Sequence, residues 1–241
     1  MAKNTTGSGQ DQGYTQLRTL RYERKFLVED LRPFQVQALI RLHPAMFHAP
    51  YPPRHINNLY FDTRDLEHYY DNVNGAAQRK KVRVRWYGEP FGEITCPILE
   101  VKLKDGLVGT KHSYPLAGFT LDGSFCTRSF RKVLDVSDLP EEVRHGMRDL
   151  EAVLFNRYYR EYHATRDGRF RCTLDTGLTF YRINGALCNL FAHRQTDYRV
   201  LVVELKYEAE QEPHASRVAG FFPFPVTRSS KYVQGMERVY F

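Results

Sequence analysis

Several stretches of this sequence set long charged side chains two residues apart. Lys81, Arg83 and Arg85 alternate with Val82, Val84 and Trp86, and Glu100, Lys102 and Lys104 alternate with Leu99, Val101 and Leu103. Arg21, Glu23 and Lys25 keep the same spacing near the start of the chain, and Glu204 and Lys206 do so near its end. A period of two puts such residues on one side of a β-strand. Rows of guanidinium and ammonium groups bind anionic oxygens, and each arginine fork can hold two of them. The interleaved glutamates suit a hard divalent ion bound through oxygen, because no histidine cluster accompanies them.

These residues need strands to align them. The alternation predicts strands over Leu20–Val28, His55–Asp62, Lys81–Tyr87, Ile98–Lys104, Thr110–Leu116, Asn156–His163, Arg169–Asp175 and Arg199–Tyr207. Arg166-Asp167-Gly168 supplies a hairpin turn between two of them. Helical spacing predicts Asp30–Leu42, with Pro33 in its first turn, and Arg64–Val73, Ser124–Leu134, Pro140–Phe155, Ala215–Phe222 and Ser229–Val239. A sheet with one cationic face has two arrangements open to it. Either that face is solvated, or the sheet curls so that the charged face points inward and the apolar face packs against helices. A closed sheet with a cationic lumen needs a polyanion, a metal ion or both to balance it.

Composition fits either arrangement. The 241 residues carry 35 Lys+Arg against 28 Asp+Glu, a net charge of +7. The excess points to an anionic partner: nucleic acid, a phosphate compound or an acidic membrane surface. Ordinary fractions of charged and hydrophobic residues exclude a disordered chain, a fibrous repeat and a membrane bundle. Cys96, Cys126, Cys172 and Cys188 have no zinc spacing and read as reduced residues of a cytoplasmic protein. Residues 1–16, rich in Gly, Ser, Thr and Gln, read as a flexible lead-in without an apolar leader; residues 17–241 read as one domain. There is no GxxxxGK[ST] loop, no GxGxxG after a strand and no GxSxG elbow.

The segments RYERKFLV, NNLYFDT, KVRVRWY, LEVKLK, RYYREY, RCTLDTGL, VVELKY and SSKYVQGM, in this order, resemble the VTC (vacuolar transporter chaperone) catalytic domain from about Leu20 to Phe241. This is the polyphosphate polymerase branch of the triphosphate tunnel metalloenzyme, or CYTH-like, superfamily. The resemblance implies an α+β fold: an antiparallel β-barrel tunnel with helices packed outside and a basic interior that holds triphosphate groups and a divalent metal. It implies that Lys25 is the N-terminal tunnel lysine, Arg83 and Arg85 the RxR phosphate grip, and Lys102 the lysine of the (V/L)ExK strand. Tyr158 and Arg160 match a YxR pair, Arg171 the arginine before TLD, and Glu204 the metal-binding glutamate, with Lys206 beside it. Arg228, Ser230 and Lys231 match a K-x-S-K pattern in which arginine replaces the first lysine.

One departure bears on the reaction. Triphosphatases of the superfamily carry ExExK in the first strand, whereas this chain has Arg21, Glu23 and Lys25. The loss of one acidic ligand disfavours a hydrolase and suits a tunnel that holds a long anion. Glu23 and Glu100 remain candidates for a second metal ligand or for salt bridges to lumen cations. The expected activity is transfer of the γ-phosphate of ATP to inorganic polyphosphate with Mn²⁺ or Mg²⁺, Arg83, Arg85, Lys102, Arg160 and Lys231 carrying the catalysis. A tripolyphosphatase or nucleoside triphosphatase, and a module that only binds polyphosphate or inositol phosphates, are the alternatives. Nucleic acid is not an expected partner. A free cytoplasmic enzyme and a peripheral subunit on a membrane partner protein both remain open.

Overall fold

Alternating apolar and charged residues become strands in the computed structural model, which describes residues 21–106, 108–183 and 193–241. The first half contains β1 (Arg21–Val28), α1 (Pro33–Arg41), β2 (Arg54–Asp62), α2 (Glu67–Val73), β3 (Gln78–Tyr87), β4 (Gly92–Ile94), β5 (Ile98–Asp105) and β6 (Val108–Pro115). Then come β7 (Phe119–Leu121), α3 (Thr127–Val136), α4 (Glu141–Gly146), β8 (Glu151–Ala164) and β9 (Phe170–Arg182). The chain closes with β10 (Arg194–Asp197), β11 (Leu201–Glu208), α5 (Glu212–Gly220), β12 (Val226–Thr227) and α6 (Lys231–Tyr240). The expected lead-in over residues 1–16 and Cys188 lie outside the described residues.

All pairings of the main sheet are antiparallel, in the order β12-β1-β11-β9-β8-β2-β3-β5-β6, with β10 added to β9. The two edges, β12 and β6, are not hydrogen-bonded to each other, so the sheet is curled without being a closed ladder. Its curvature shows in side-chain contacts. β1 and β3 are five strand spacings apart, about 24 Å in a flat sheet. Yet Lys25 on β1 donates to the Ser229 carbonyl at 3.1 Å, while Lys81 on β3 donates to the hydroxyl of the next residue, Ser230, at 2.9 Å. The segment between β12 and α6 thus latches the sheet's two sides together.

Register then decides what faces inward. Lys25 pairs with Glu204, Glu204 with Thr173, and Thr173 with Tyr162. Further round, Arg160 lies opposite Arg54, Asn58 opposite Arg85, Arg83 opposite Glu100 and Lys102 opposite Lys111. The outer face is apolar. Phe26, Val203 and Leu205 pack with Val36 and Ile40 of α1 and with Ala215 and Ala219 of α5. Val82, Val84, Trp86 and Leu99 pack with Phe130 and Leu134 of α3.

Helix α6 is placed differently from these outer helices. Its Tyr232, Met236 and Val239 pack with Ile56, Tyr60, Tyr158 and Val202 of the inner face, so the helix fills one end of the curled sheet. A second difference concerns the helix expected over Pro140–Phe155. Here α4 ends at Gly146, and Ala152, Val153, Leu154 and Phe155 are strand residues of β8. Both faces of that segment are covered, by α3 outside and α6 inside, which removes the alternation that marks a half-buried strand.

Candidate functional site

The charged residues of the inner face gather in two clusters joined by a tyrosine. In the first, Arg83 donates from Nε to Glu100 Oε2 at 2.7 Å and approaches it with a second nitrogen at 2.7 Å. Lys111 pairs with the other oxygen of Glu100, and Arg85 lies 3.7 Å from the carboxylate. Arg85 also donates to Asn58 Oδ1 at 2.9 Å, and the Asn58 amide donates to Asn156 at 2.8 Å. The guanidinium forks are therefore aimed by fixed neighbours rather than by solvent.

The second cluster centres on Asp175 and Glu204. Arg160 holds Asp175 with two donors at 2.5 and 2.6 Å and reaches Glu204 at 3.2 Å. Lys231, at the first turn of α6, lies 2.6 Å from Asp175 and 3.2 Å from Glu204. Lys206 and Lys25 complete the ring round Glu204 at 2.9 and 3.8 Å. Both lysines also approach Glu23, at 4.0 and 3.4 Å. Between the clusters stands the buried Tyr158, with the Arg160 guanidinium 5.3 Å and the Lys231 ammonium 5.0 Å from its ring centre.

Proton affinities follow from this crowding. Burial alone would raise Glu204, but Lys231, Lys206, Arg160 and Lys25 together hold it well below the ordinary carboxylate range. Burial also opposes ionisation of Asp175, and Arg160 and Lys231 overcome it. Glu100 is depressed to about 2, since Arg83, Arg85 and Lys111 outweigh desolvation. Lys81 has no carboxylate partner among the described residues; desolvation, then Lys25, Lys102, Arg83 and Arg79, lower it to about 7. Lys102 opens to water, yet desolvation, Lys25, Arg83 and Lys206 still lower it against the pull of Glu23. Like charges confined together weaken one another's protonation unless an anion enters.

The expected residues divide by their surroundings. Arg83, Arg85, Lys102, Lys25, Lys206 and Arg171 share the inner face of the sheet by register. Lys102 and Arg171 have no hydrogen-bond or ion-pair partner among the described residues and are free to meet a ligand. Ser230 caps α6, accepting from the Val233 amide at 3.4 Å. Arg228 is exposed beside the latch segment. Arg160 and Lys231, expected as catalytic groups, are both buried against Asp175 and Glu204. Sequence reasoning passed over Asp175, Lys111 and Asn58. Asp175 shares the alternating face of Arg171 and ends the TLD motif, which is a signal; Asn58 carries no charge and gave none.

A sequence profile of the VTC domain matches residues 20–240. The chain belongs to the VTC domain family. A search of curated protein sequences finds no match. Among solved structures, a Hippeastrum protein described as an adenylyl cyclase with a dominant triphosphatase activity shares 15% identity. It covers 91% of this chain and 98% of its own, at a TM-score of 0.50. A protein from Vibrio parahaemolyticus described as an adenylate cyclase shares 12% identity, covering 88% of this chain and 97% of its own, at 0.47. One from Pyrococcus horikoshii shares 11%, covering 90% and 96%, at 0.46. The curled antiparallel sheet and the likeness to the Hippeastrum protein give this VTC domain a barrel-like tunnel fold with mixed α and β elements.

The VTC domain's fitness for a divalent metal can be read from its carboxylates. No group of three or more His, Cys, Asp or Glu residues is placed to hold a metal among the described residues. Glu204 and Glu23 share Lys25 and Lys206, so two carboxylates approach a common cation position, while Glu100 sits apart with Arg83 and Lys111. Two carboxylates alone make a poor site for a free ion. They suit one that arrives with phosphate oxygens, as magnesium commonly does. No helix among the described residues is long and apolar enough to cross a membrane.

Proposed function

We propose that this VTC domain is a phosphotransferase that moves the γ-phosphate of ATP onto the end of an inorganic polyphosphate chain lying along the inner face. The observation that carries this reading is the state of the carboxylates set among the inner-face cations. Glu23, Glu100, Asp175 and Glu204 are each ion-paired to lysine or arginine, and those of Glu100, Asp175 and Glu204 are held ionised. None is poised to take a proton from water. Phosphoryl transfer asks the protein mainly for alignment and for neutralising charge on the equatorial oxygens. Arg83, Arg85, Lys102 and Arg171 offer that charge. A terminal phosphate oxyanion attacks the γ-phosphorus, the bond to the β-phosphate oxygen breaks, and ADP leaves with that oxygen. The nucleophile is already ionised, so no general base is needed. Glu204 and Glu23 would hold Mn²⁺ or Mg²⁺, which when bound supplies further charge neutralisation.

The triphosphatase activity of the Hippeastrum protein supports a second reading, in which water takes the place of the chain end. Incubation with ATP and Mn²⁺ or Mg²⁺ separates the two. Polymerase action yields ADP and a polymer that resists phosphomonoesterase and is consumed by exopolyphosphatase. Free phosphate without polymer would overturn the polymerase reading in favour of hydrolysis. Arg83→Ala should abolish either product.

A further inference from the structure

Beyond the cationic rows the inner face changes character. Tyr87 stands two residues past Arg85 on β3, and Arg54 lies directly opposite Arg160 between β2 and β8. The Arg54 guanidinium lies over the Tyr87 ring, 3.8 Å from its centre, and donates from Nε to the Tyr162 hydroxyl at 3.0 Å. Tyr51 meets Tyr162 edge to face, with ring centres 6.1 Å apart. Arg54 has no carboxylate partner among the described residues, and Arg54, Tyr87 and Tyr51 are all exposed. A guanidinium laid on a tyrosine and open to water is a flat, polarisable surface one pleat from the phosphate grip.

The strand end that carries Tyr87 is held in place. Asn57 donates to the carbonyls of Gly88 and Glu89 at 3.2 and 3.4 Å, and the Trp86 indole donates to Glu89 at 3.0 Å, which pins the loop that follows Tyr87.

We propose that Arg54 and Tyr87 form a stacking platform for the base of a nucleoside triphosphate whose phosphates run inward to Arg85 and Arg83. The proposal rests on the reading of the tunnel as a nucleoside triphosphate site and names where its nucleoside end sits. Every base presents a π-face, so aromatic and guanidinium planes hold it without reading its edges.

The test is calorimetric binding of ATP and of inorganic tripolyphosphate to the wild-type chain and to Arg54→Lys, Tyr87→Ala, Tyr87→Phe and Arg83→Ala. Arg54→Lys keeps the charge and removes the plane. It and Tyr87→Ala should weaken ATP by about tenfold and leave tripolyphosphate unchanged, which also shows that both variants are folded. Tyr87→Phe should bind ATP as the wild type does. Equal losses for both ligands in Arg54→Lys or Tyr87→Ala would overturn the platform, as would no loss for ATP while Arg83→Ala still weakens both. If Arg83→Ala weakens neither ligand, the tunnel reading itself falls and takes the platform with it.

Discussion

At the scale of single residues, the inner face is governed by which cations have a carboxylate and which do not. Asp175 is fully buried and neutralises both Arg160 and Lys231. Asp175→Asn leaves these buried cations with Glu204 alone, and breaking such a pair costs about 3–5 kcal/mol. Urea unfolding should show that loss; a midpoint equal to the wild type would remove the structural role assigned to the pair. Lys81 is the opposite case, a lysine that burial and then neighbouring cations lower from 10.5 to about 7, with no carboxylate partner among the described residues. Between pH 7 and 10.5 the unfolded chain binds a proton that folded Lys81 has released, so this group makes stability rise with pH across that window. A bound phosphate reverses the balance by favouring the charged form. Tripolyphosphate affinity should therefore fall as pH rises from about 6 to about 8, and more steeply in the wild type than in Lys81→Met. Parallel profiles for the two proteins would show that Lys81 does not face the ligand.

At the scale of elements, α6 couples the core to the site, because the helix that packs its Met236 inside the sheet begins with Lys231. Its position depends on Gly235. A Cβ there would lie 2.6 Å from both Leu154 Cδ2 and Phe180 Cδ1, whose residues are 0% and 1% exposed. Alanine gains about 1 kcal/mol of helix propensity over glycine, but overpacking a dense core costs about 1–3 kcal/mol. The clash should win, so Gly235→Ala is expected to lower the melting temperature. It should also weaken tripolyphosphate, since Lys231 moves with the helix; a variant as stable as the wild type would show that the helix slides freely. This contact was not legible in the sequence. Strands such as β3 and β5 were, because one face is apolar and the other charged. Where both faces are covered, as at Ala152–Phe155, period two disappears and the strand reads as helix. Strands β4, β7, β10 and β12 are two to four residues long, too short to show a period. At the site, charged residues announced themselves by spacing, whereas Asn58 and the Arg54–Tyr87 stack depend on which strands become neighbours.

At the scale of the whole molecule, the net charge of +7 is not spread as a coat. Register carries much of it to the concave side, where cations outnumber carboxylates such as Glu23, Glu100, Asp175 and Glu204. The latch of Lys25 and Lys81 on Ser229 and Ser230 keeps that side narrow. Shape should therefore select among anions that charge alone treats alike. A phosphate chain is one residue thick and can lie along the rows. The interior of a barrel of about eight strands holds side chains or one small ligand. Duplex DNA, whose major groove alone is about 12 Å wide, cannot enter it. Fluorescently labelled polyphosphate should bind with an affinity that falls as salt rises, because the cations displace counterions from the chain. Unlabelled polyphosphate should compete fully, and affinity should climb from pyrophosphate to tripolyphosphate as more of the row is occupied. An excess of duplex DNA, matched in phosphate concentration, should leave the labelled chain bound. Displacement by DNA as effective as by polyphosphate would place the binding charge on the convex surface. That result would require the inner-face arginines Arg83 and Arg85 to have another role.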